Sequence, residues 1–286
     1  MKRPSRNLNR QRTPQQLVRS ALRAWDTDRG WSAVVEMQVR ASLLLLDLVR
    51  SLCASRSWRR RALGLHVASQ LQRRRRSGMG GAMEYALDAR QALLLAGLMD
   101  SHSGVVCAAV SGLGHRPHPD ALETLVVLAR HADSAMRWNV AVSLGCYQDP
   151  AAIGALIQLA TDVDSDVRDW ATFGLGTLQN ADTPGLREVL WRNLNDEDED
   201  VRGEALVGLA ARQDLRVIDH LLAQLGPECR VYQLDAAEQL ASPLLLPALQ
   251  ALADGLQGSE REGYWFGCLQ SAVEACSPAL APDSLG

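Results

Sequence analysis

This chain of 286 residues has almost no lysine, since 29 of its 30 basic residues are arginine and the exception is Lys2. A glycine-rich phosphate loop closed by Lys-Ser or Lys-Thr is therefore excluded. Aromatic residues make up only 5% of the chain, and runs of β-branched residues are scarce. Alanine and leucine supply most of the apolar surface, a composition that suits closely packed helices. Neither a CxxC pair nor a histidine at ligand spacing accompanies Cys53, Cys107, Cys146, Cys229, Cys268 and Cys276. A zinc framework is thereby excluded and a reducing cytoplasm is the expected setting. Long apolar runs are missing too. The most apolar stretch, Ser42 to Cys53, is interrupted by Asp47 and Arg50; it is too short to span a bilayer and is expected to be a buried helix, so no membrane insertion is expected. The basic start is followed by amphipathic sequence, which does not read as a secretory signal.

What is present is unevenly charged. Residues 1–76 hold 18 basic against 4 acidic side chains, whereas residues 77–286 hold 12 Arg against 29 acids. Such a split steers an acidic partner to one part of the molecule and a basic partner to the other, or draws copies together.

The chain also repeats itself. The segment Met136 to Gly145 aligns with Val167 to Gly176 at a shift of 31 residues, and Val201 to Ala210 follows after 34. One step upstream, Val105 to Gly114 fits more weakly, with Val106 where the later copies carry Arg. The intervening segments repeat as well: Leu122, Leu125, Val126 and Ala129 recur at helical spacing, as do Ile153, Leu156, Ile157 and Ala160. Each is an amphipathic helix with one apolar stripe. Pro119 and Pro150 open these helices, where a missing amide costs nothing. Asp-rich turns, 162–166 and 196–200, sit where an N-cap carboxylate and the helix dipole both help.

The unit, an apolar helix, an acidic turn and then the second helix Asp166 to Gly176 (DVRDWATFGLG), resembles the short HEAT-like repeat of phycobilisome lyases and many bacterial proteins. The resemblance is close over about residues 83–257 and looser over 13–72, where Ser55 to Leu71 matches a second helix. It implies an all-α fold, an α-solenoid of seven to eight helix pairs whose second helices line a concave face. One pair cannot bury its stripe, whereas a stack builds a continuous core. The organisation read from this is a basic tail (1–12), divergent basic repeats (13–82) ending in a loop from Gln72 to Gly81, the main array (83–276) and a C-terminal tail (277–286).

No catalytic constellation, cofactor motif or metal site is expected. HEAT-like deoxyhypusine hydroxylases use repeated His-Glu pairs, whereas His66, His102, His115, His118, His131 and His220 are followed by Val, Ser, Arg, Pro, Ala and Leu. No motif carries over the bilin contacts of the lyases. Asp162, Asp164 and Asp166 have the opening spacing of a calcium loop but lack its glycine and its closing glutamate. The repeat does mark a surface. Arg137, Arg168 and Arg202 hold one equivalent position, either as a ladder paired with the acidic turns or as part of a binding face. The next residues vary from copy to copy: Trp138 and Asn139, Asp169 and Trp170, Gly203 and Glu204. Trp138, Asn139, Asp169, Trp170 and Glu204, with the three arginines, are the candidate contacts for a protein partner on the concave face, and the two tryptophans are either interface anchors or gap fillers. The favoured reading is a non-catalytic scaffold that binds another protein. A second is nucleic-acid binding through the candidate phosphate contacts Arg59, Arg60, Arg61, Arg73, Arg74, Arg75 and Arg76. A third, which the resemblance implies and the missing His-Glu pairs disfavour, is an accessory lyase- or hydroxylase-type enzyme of the HEAT-like family.

Overall fold

A computed structural model describes residues 9–74 and 82–278. The chain folds as two compact units, Met1–Tyr147 and Gln148–Gly286. The first holds helices α1 (Pro14–Arg23), α2 (Asp28–Gln38), α3 (Leu43–Cys53), α4 (Trp58–Ser69), α5 (Leu87–Leu98), α6 (Ser103–His115), α7 (Leu122–Leu128) and α8 (Ser134–Leu144). The second holds α9 (Pro150–Leu159), α10 (Ser165–Phe173), α11 (Pro184–Asn193), α12 (Glu199–Ala211), α13 (Val217–Gln224), α14 (Val231–Leu240), α15 (Leu246–Gly255) and α16 (Tyr264–Cys276). Among the described residues these form eight helix pairs, and the chain is an all-α solenoid by class.

In each unit the second helix of a pair packs on the second helix of the next. In unit 1 the row is α2, α4, α6 and α8; in unit 2 it is α10, α12, α14 and α16. Of the apolar stripes read from the sequence, Leu125 and Ala129 in unit 1 and Leu156 and Ala160 in unit 2 are buried, while Leu122, Val126, Ile153 and Ile157 are half-buried. The acidic turns cap as expected. Asp164 Oδ1 accepts the amides of Asp166 and Val167 at 3.1 and 3.4 Å, and Asp198 Oδ1 those of Asp200 and Val201 at 2.9 and 3.3 Å. Each such cap contributes about 1 kcal/mol. Small residues set how closely the second helices approach. A Cβ on Gly208 of α12 would lie 2.5 Å from Gly176 Cα, so the backbones themselves touch there.

Two expectations are corrected. The segment Gln72–Arg74 is not loop: it forms strand β1, antiparallel to β2 (Ala82–Glu84), with Arg73 opposite Met83. Its outer edge meets the end of α2, where the Ala41 amide donates to Gln72 O at 3.0 Å and Arg40 bridges to Arg73. Strand pairing satisfies backbone groups that an arginine run cannot. The helix from Leu43, second, is only half buried: Leu45, Leu46, Val49 and Leu52 enter the core, whereas Leu43 and Leu44 are 71% and 83% exposed. Four consecutive leucines cannot all face one side of a helix with 3.6 residues per turn.

The core of unit 1 depends on a buried cation that no repeat pattern marks. Arg90, fully buried in α5, donates to the carbonyls of Ala68, Ser69, Leu71 and Tyr85 at 2.6 to 3.1 Å and to Glu84 at 2.7 Å. It ties α4 and the β-hairpin to the third pair. Arg212 plays a similar part in unit 2, donating to the carbonyls of Leu175, Gly176 and Gln179 in and beside the π-turn that ends α10.

A candidate protein-binding face on the second helices of unit 2

The three equivalent arginines are structural at the atomic level. Arg168 Nη1 donates to Asp162 O at 3.0 Å, six residues back. Arg202 Nη1 does the same to Asp196 O at 2.7 Å and Arg137 Nη1 to His131 O at 2.9 Å. Arg168 goes further: its fork grips Asp196 at the next acidic turn through Nε and Nη2, both at 2.8 Å, and its residue is 8% exposed. Burial alone would raise Asp196, yet the Arg168 fork holds its carboxyl below the usual range.

Arg61 belongs to the same ladder. Its Nη1 reaches Ser55 O, six residues back, at 3.0 Å, and its fork grips Asp100 at 2.7 and 2.8 Å. A guanidinium expected to contact phosphate is thus committed to a carboxylate, and the Arg61 hydrogen bonds depress the Asp100 pKa. The remaining arginines of that set are scattered. Arg59 lies over the Trp58 ring at 5.4 Å, Arg60 is exposed, and Arg73 on β1 lies over Tyr85 at 4.9 Å. Arg74 is the last residue of β1, while Arg75 and Arg76 lie outside the described residues.

With the ladder committed, the residues that follow each arginine define what the surface offers. In unit 1, Asn139 donates to Ala135 O of its own helix at 2.8 Å, and Trp138 beside it is half-buried. In unit 2, Asp169 and Trp170 stand on α10, Glu204 on α12, Tyr232 and Asp235 on α14, and Tyr264 on α16, one row of adjacent helices. Trp170 meets Phe173 edge-on at 5.7 Å. Gly203 is the seat of a ring: a Cβ there would be 2.2 Å from Tyr232, whose hydroxyl donates to Asp200 Oδ1 at 3.3 Å.

The acids in this row crowd one another. Partial burial, then Asp200, Asp198 and Asp166, push Asp169 up to about 6. Burial, then Asp169, Asp200 and Asp235, push Glu204 up to about 7. Asp235 is raised by burial. A further cation, Arg230 at the start of α14, pairs with Glu199 at 2.7 Å and approaches Asp200 at 3.7 Å; among the described residues neither Asp169 nor Glu204 is ion-paired. No group of three or more His, Cys, Asp or Glu that fits a metal occurs among the described residues.

Folding therefore raises the affinity of Asp169 and Glu204 for protons, so their charge lowers stability as pH climbs from the ordinary carboxylate range to about 7. Glu204→Gln is expected to melt higher than wild type at about pH 8 and to show no such gain at about pH 4, where both forms are neutral. Thermal denaturation at the two pH values checks this, and an equal difference at both would contradict it.

Tyr232, Asp235 and Tyr264 are not visible as site residues in the sequence, because α14 and α16 lack the Val-Arg motif that fixes the frame in α10 and α12. Continuing the row by one helix-pair period is the signal that would find them.

The family model for HEAT repeats matches residues 92–176 and 155–241, more than half of the chain, and the chain belongs to the HEAT-repeat proteins. Among curated proteins it is similar to Protein YibA of Escherichia coli strain K12, 32% identical over 136 residues, which is 47% of this chain and 48% of that one. By sequence the chain thus spans about half the length of the curated relatives it matches. The crystal structure of Escherichia coli YibA superposes over 96% of this chain and 98% of its own, with a TM-score of 0.71 at 23% identity. The Schizosaccharomyces pombe condensin Cnd3–Cnd2 subcomplex shares the fold over 94% of this chain and 45% of that chain, at 12% identity and a TM-score of 0.51. Among the described residues no helix is long and apolar enough to cross a membrane.

Proposed function

We propose that this protein is a non-catalytic scaffold of the cytoplasm and that the second-helix row of unit 2 binds a positively charged segment of a partner protein. The observation that carries this reading is the pair Asp169 and Glu204, crowded by other acids and not ion-paired, flanked by Trp170, Tyr232 and Tyr264. A partner's Arg or Lys gains the attraction of carboxylates already drawn partly out of water, and the rings supply flat apolar contact and cation–π attraction. Arg168 and Arg202 serve in this reading by fixing the turns that present the row, while Asp169, Trp170 and Glu204 make the contacts; Arg137, Trp138 and Asn139 belong to unit 1 and are not part of this face. The HEAT architecture supports it, because a stack of repeats spreads a binding surface over many helices.

Affinity capture from native lysate, with nuclease-treated controls, tests the proposal on wild type, Trp170→Ala and Asp169→Asn/Glu204→Gln. The expected result is a protein retained by wild type, released on acidification from about pH 8 to about pH 5 as both carboxylates protonate, and lost from both variants while their circular dichroism stays native. Retention by the double variant, or loss of the helical signal in Trp170→Ala, overturns the assignment of these residues.

A further inference from the structure

The arginines of this protein are habitually engaged: Arg40, Arg61, Arg90, Arg116, Arg168, Arg187 and Arg216 each bond a carboxylate. Others are placed differently, Arg59 and Arg73 over aromatic rings and Arg202 on backbone carbonyls, and one group gathers at a single cleft. An open cleft of about 520 Å³ beside α1 is lined by Arg12, Arg19, Arg23 and Arg29 with Gln16 and Ser20, and by no acid. None of these four guanidiniums is ion-paired among the described residues, although Asp26 and Asp28 lie in the adjoining turn and at the start of α2. Helix α1 itself contains no Asp or Glu, and its two arginines stand one turn apart, where like charges repel. Arg29 adds its charge in the first turn of α2, at the positive end of that helix.

The cleft is built rather than incidental. Arg12 Nη1 is held by Asn9 Oδ1 at 2.9 Å and Ser20 Oγ at 3.2 Å. Asn9, 3% exposed, is anchored in turn by Ser32 at 3.0 Å, and Arg40 grips the carbonyls of Asn9 and Arg12, both at 2.8 Å. A guanidinium kept in one place beside others on the turns of a helix presents a row of planar forks, with Arg19 and Arg23 about 6 Å apart along the axis. Such a row exceeds what one small anion uses and suits a chain of regularly spaced phosphates. The other side of the same helical hairpin is aromatic. Ala24 borders the cleft, and its neighbour Trp25 lines a hollow with Trp31 and His66. Trp31 is 42% exposed and edge-on to His66 at 4.8 Å, and Trp25 is edge-on to Trp58 at 5.5 Å. Cations that track a backbone, with an exposed ring on the other side of the same hairpin that can accept a base, match the recognition chemistry of a single nucleic-acid strand.

We propose that the cleft of Arg12, Arg19, Arg23 and Arg29 binds single-stranded nucleic acid, with its phosphates on the guanidiniums and a base on Trp31. This site is independent of the face proposed in unit 2, and variants at one leave the other in place.

Fluorescence anisotropy of the full chain with a labelled single-stranded DNA 20-mer, read from 50 to 200 mM salt, tests it. In Arg19→Gln/Arg23→Gln/Arg29→Gln the affinity is expected to fall at least tenfold and the slope of log K against log salt to shrink by about two, as three phosphate contacts are lost. Arg56→Gln/Arg60→Gln, which removes exposed charge elsewhere in the N-terminal quarter, is expected to change affinity less than threefold. Trp31→Ala is expected to weaken binding with the salt slope intact. The proposal is overturned by an absence of saturable binding at 50 mM salt, by equal losses in the two arginine variants, by an unchanged Trp31→Ala, or by polyglutamate competing as well as unlabelled strand. The last outcome would assign the cleft to an acidic protein segment.

Discussion

Arg90→Ala is expected to destabilise the protein by at least about 4 kcal/mol, enough to leave the N-terminal pairs of unit 1 unfolded at room temperature. The substitution leaves the carbonyls of Ser69 and Leu71 without the buried donor that Arg90 supplies, takes one donor from those of Ala68 and Tyr85, and removes a partner of Glu84. Each buried acceptor left without a donor costs about 1 to 3 kcal/mol. Arg90→Lys is expected to recover only a part, because one ammonium cannot span acceptors that a planar fork reaches in several directions. Urea denaturation followed by tryptophan fluorescence measures the loss, with Trp25, Trp31 and Trp58 as reporters in the affected region. A cost below about 1 kcal/mol for Arg90→Ala would mean that its five hydrogen bonds are replaceable by solvent.

Arg168→Ala comes next, with an expected cost of about 3 to 5 kcal/mol, because it leaves the largely buried Asp196 charged and without its counter-ion. The Asp196 pKa is depressed in the folded protein, so the pair contributes stability that is present above the ordinary carboxylate range and fades as pH falls through the lowered value. A double-mutant cycle with Asp196→Asn separates the pair from the rest. Asp196→Asn keeps an acceptor for the Asp198 amide, bonded at 2.9 Å, and is expected to cost less than Arg168→Ala. The two substitutions together are expected to cost less than the sum of each alone, and strict additivity would contradict a direct coupling. The same experiment at Arg61 and Asp100 is expected to give a coupling of the same sign, since the geometry is repeated.

These two arginines mark where sequence reading succeeds and where it stops. The ladder is legible because a repeat prints its frame: the shift that superposes Arg137 on Arg168 and Arg202 also places each acidic turn, so the caps at Asp164 and Asp198 follow. Arg61 performs the same function yet reads as a phosphate contact, because it sits in a run of three arginines and composition there outweighs phase. Arg90 is not legible at all. Most of its acceptors are backbone carbonyls, which every residue has, and only the folded chain brings four of them to one point. The β-hairpin is hidden for a related reason, since its strands pair through backbone groups while their side chains suggest a solvated loop. On the candidate face, Asp169, Trp170 and Glu204 are legible from their variability within the repeat, whereas the charge crowding that sets them apart needs the distance between neighbouring helices.

In the proposed function unit 2 presents a carboxylate row to a basic partner while the arginine ladder holds the repeats together. Zero-length carbodiimide cross-linking of the captured complex, read by mass spectrometry, tests it most directly, because the reagent joins carboxylates to amines and this chain offers a single lysine, Lys2, to compete. Partner lysines are expected to be joined to Glu204, Asp169 and Asp235. Cross-links confined to carboxylates away from the row, such as Glu123 and Glu188, would contradict it.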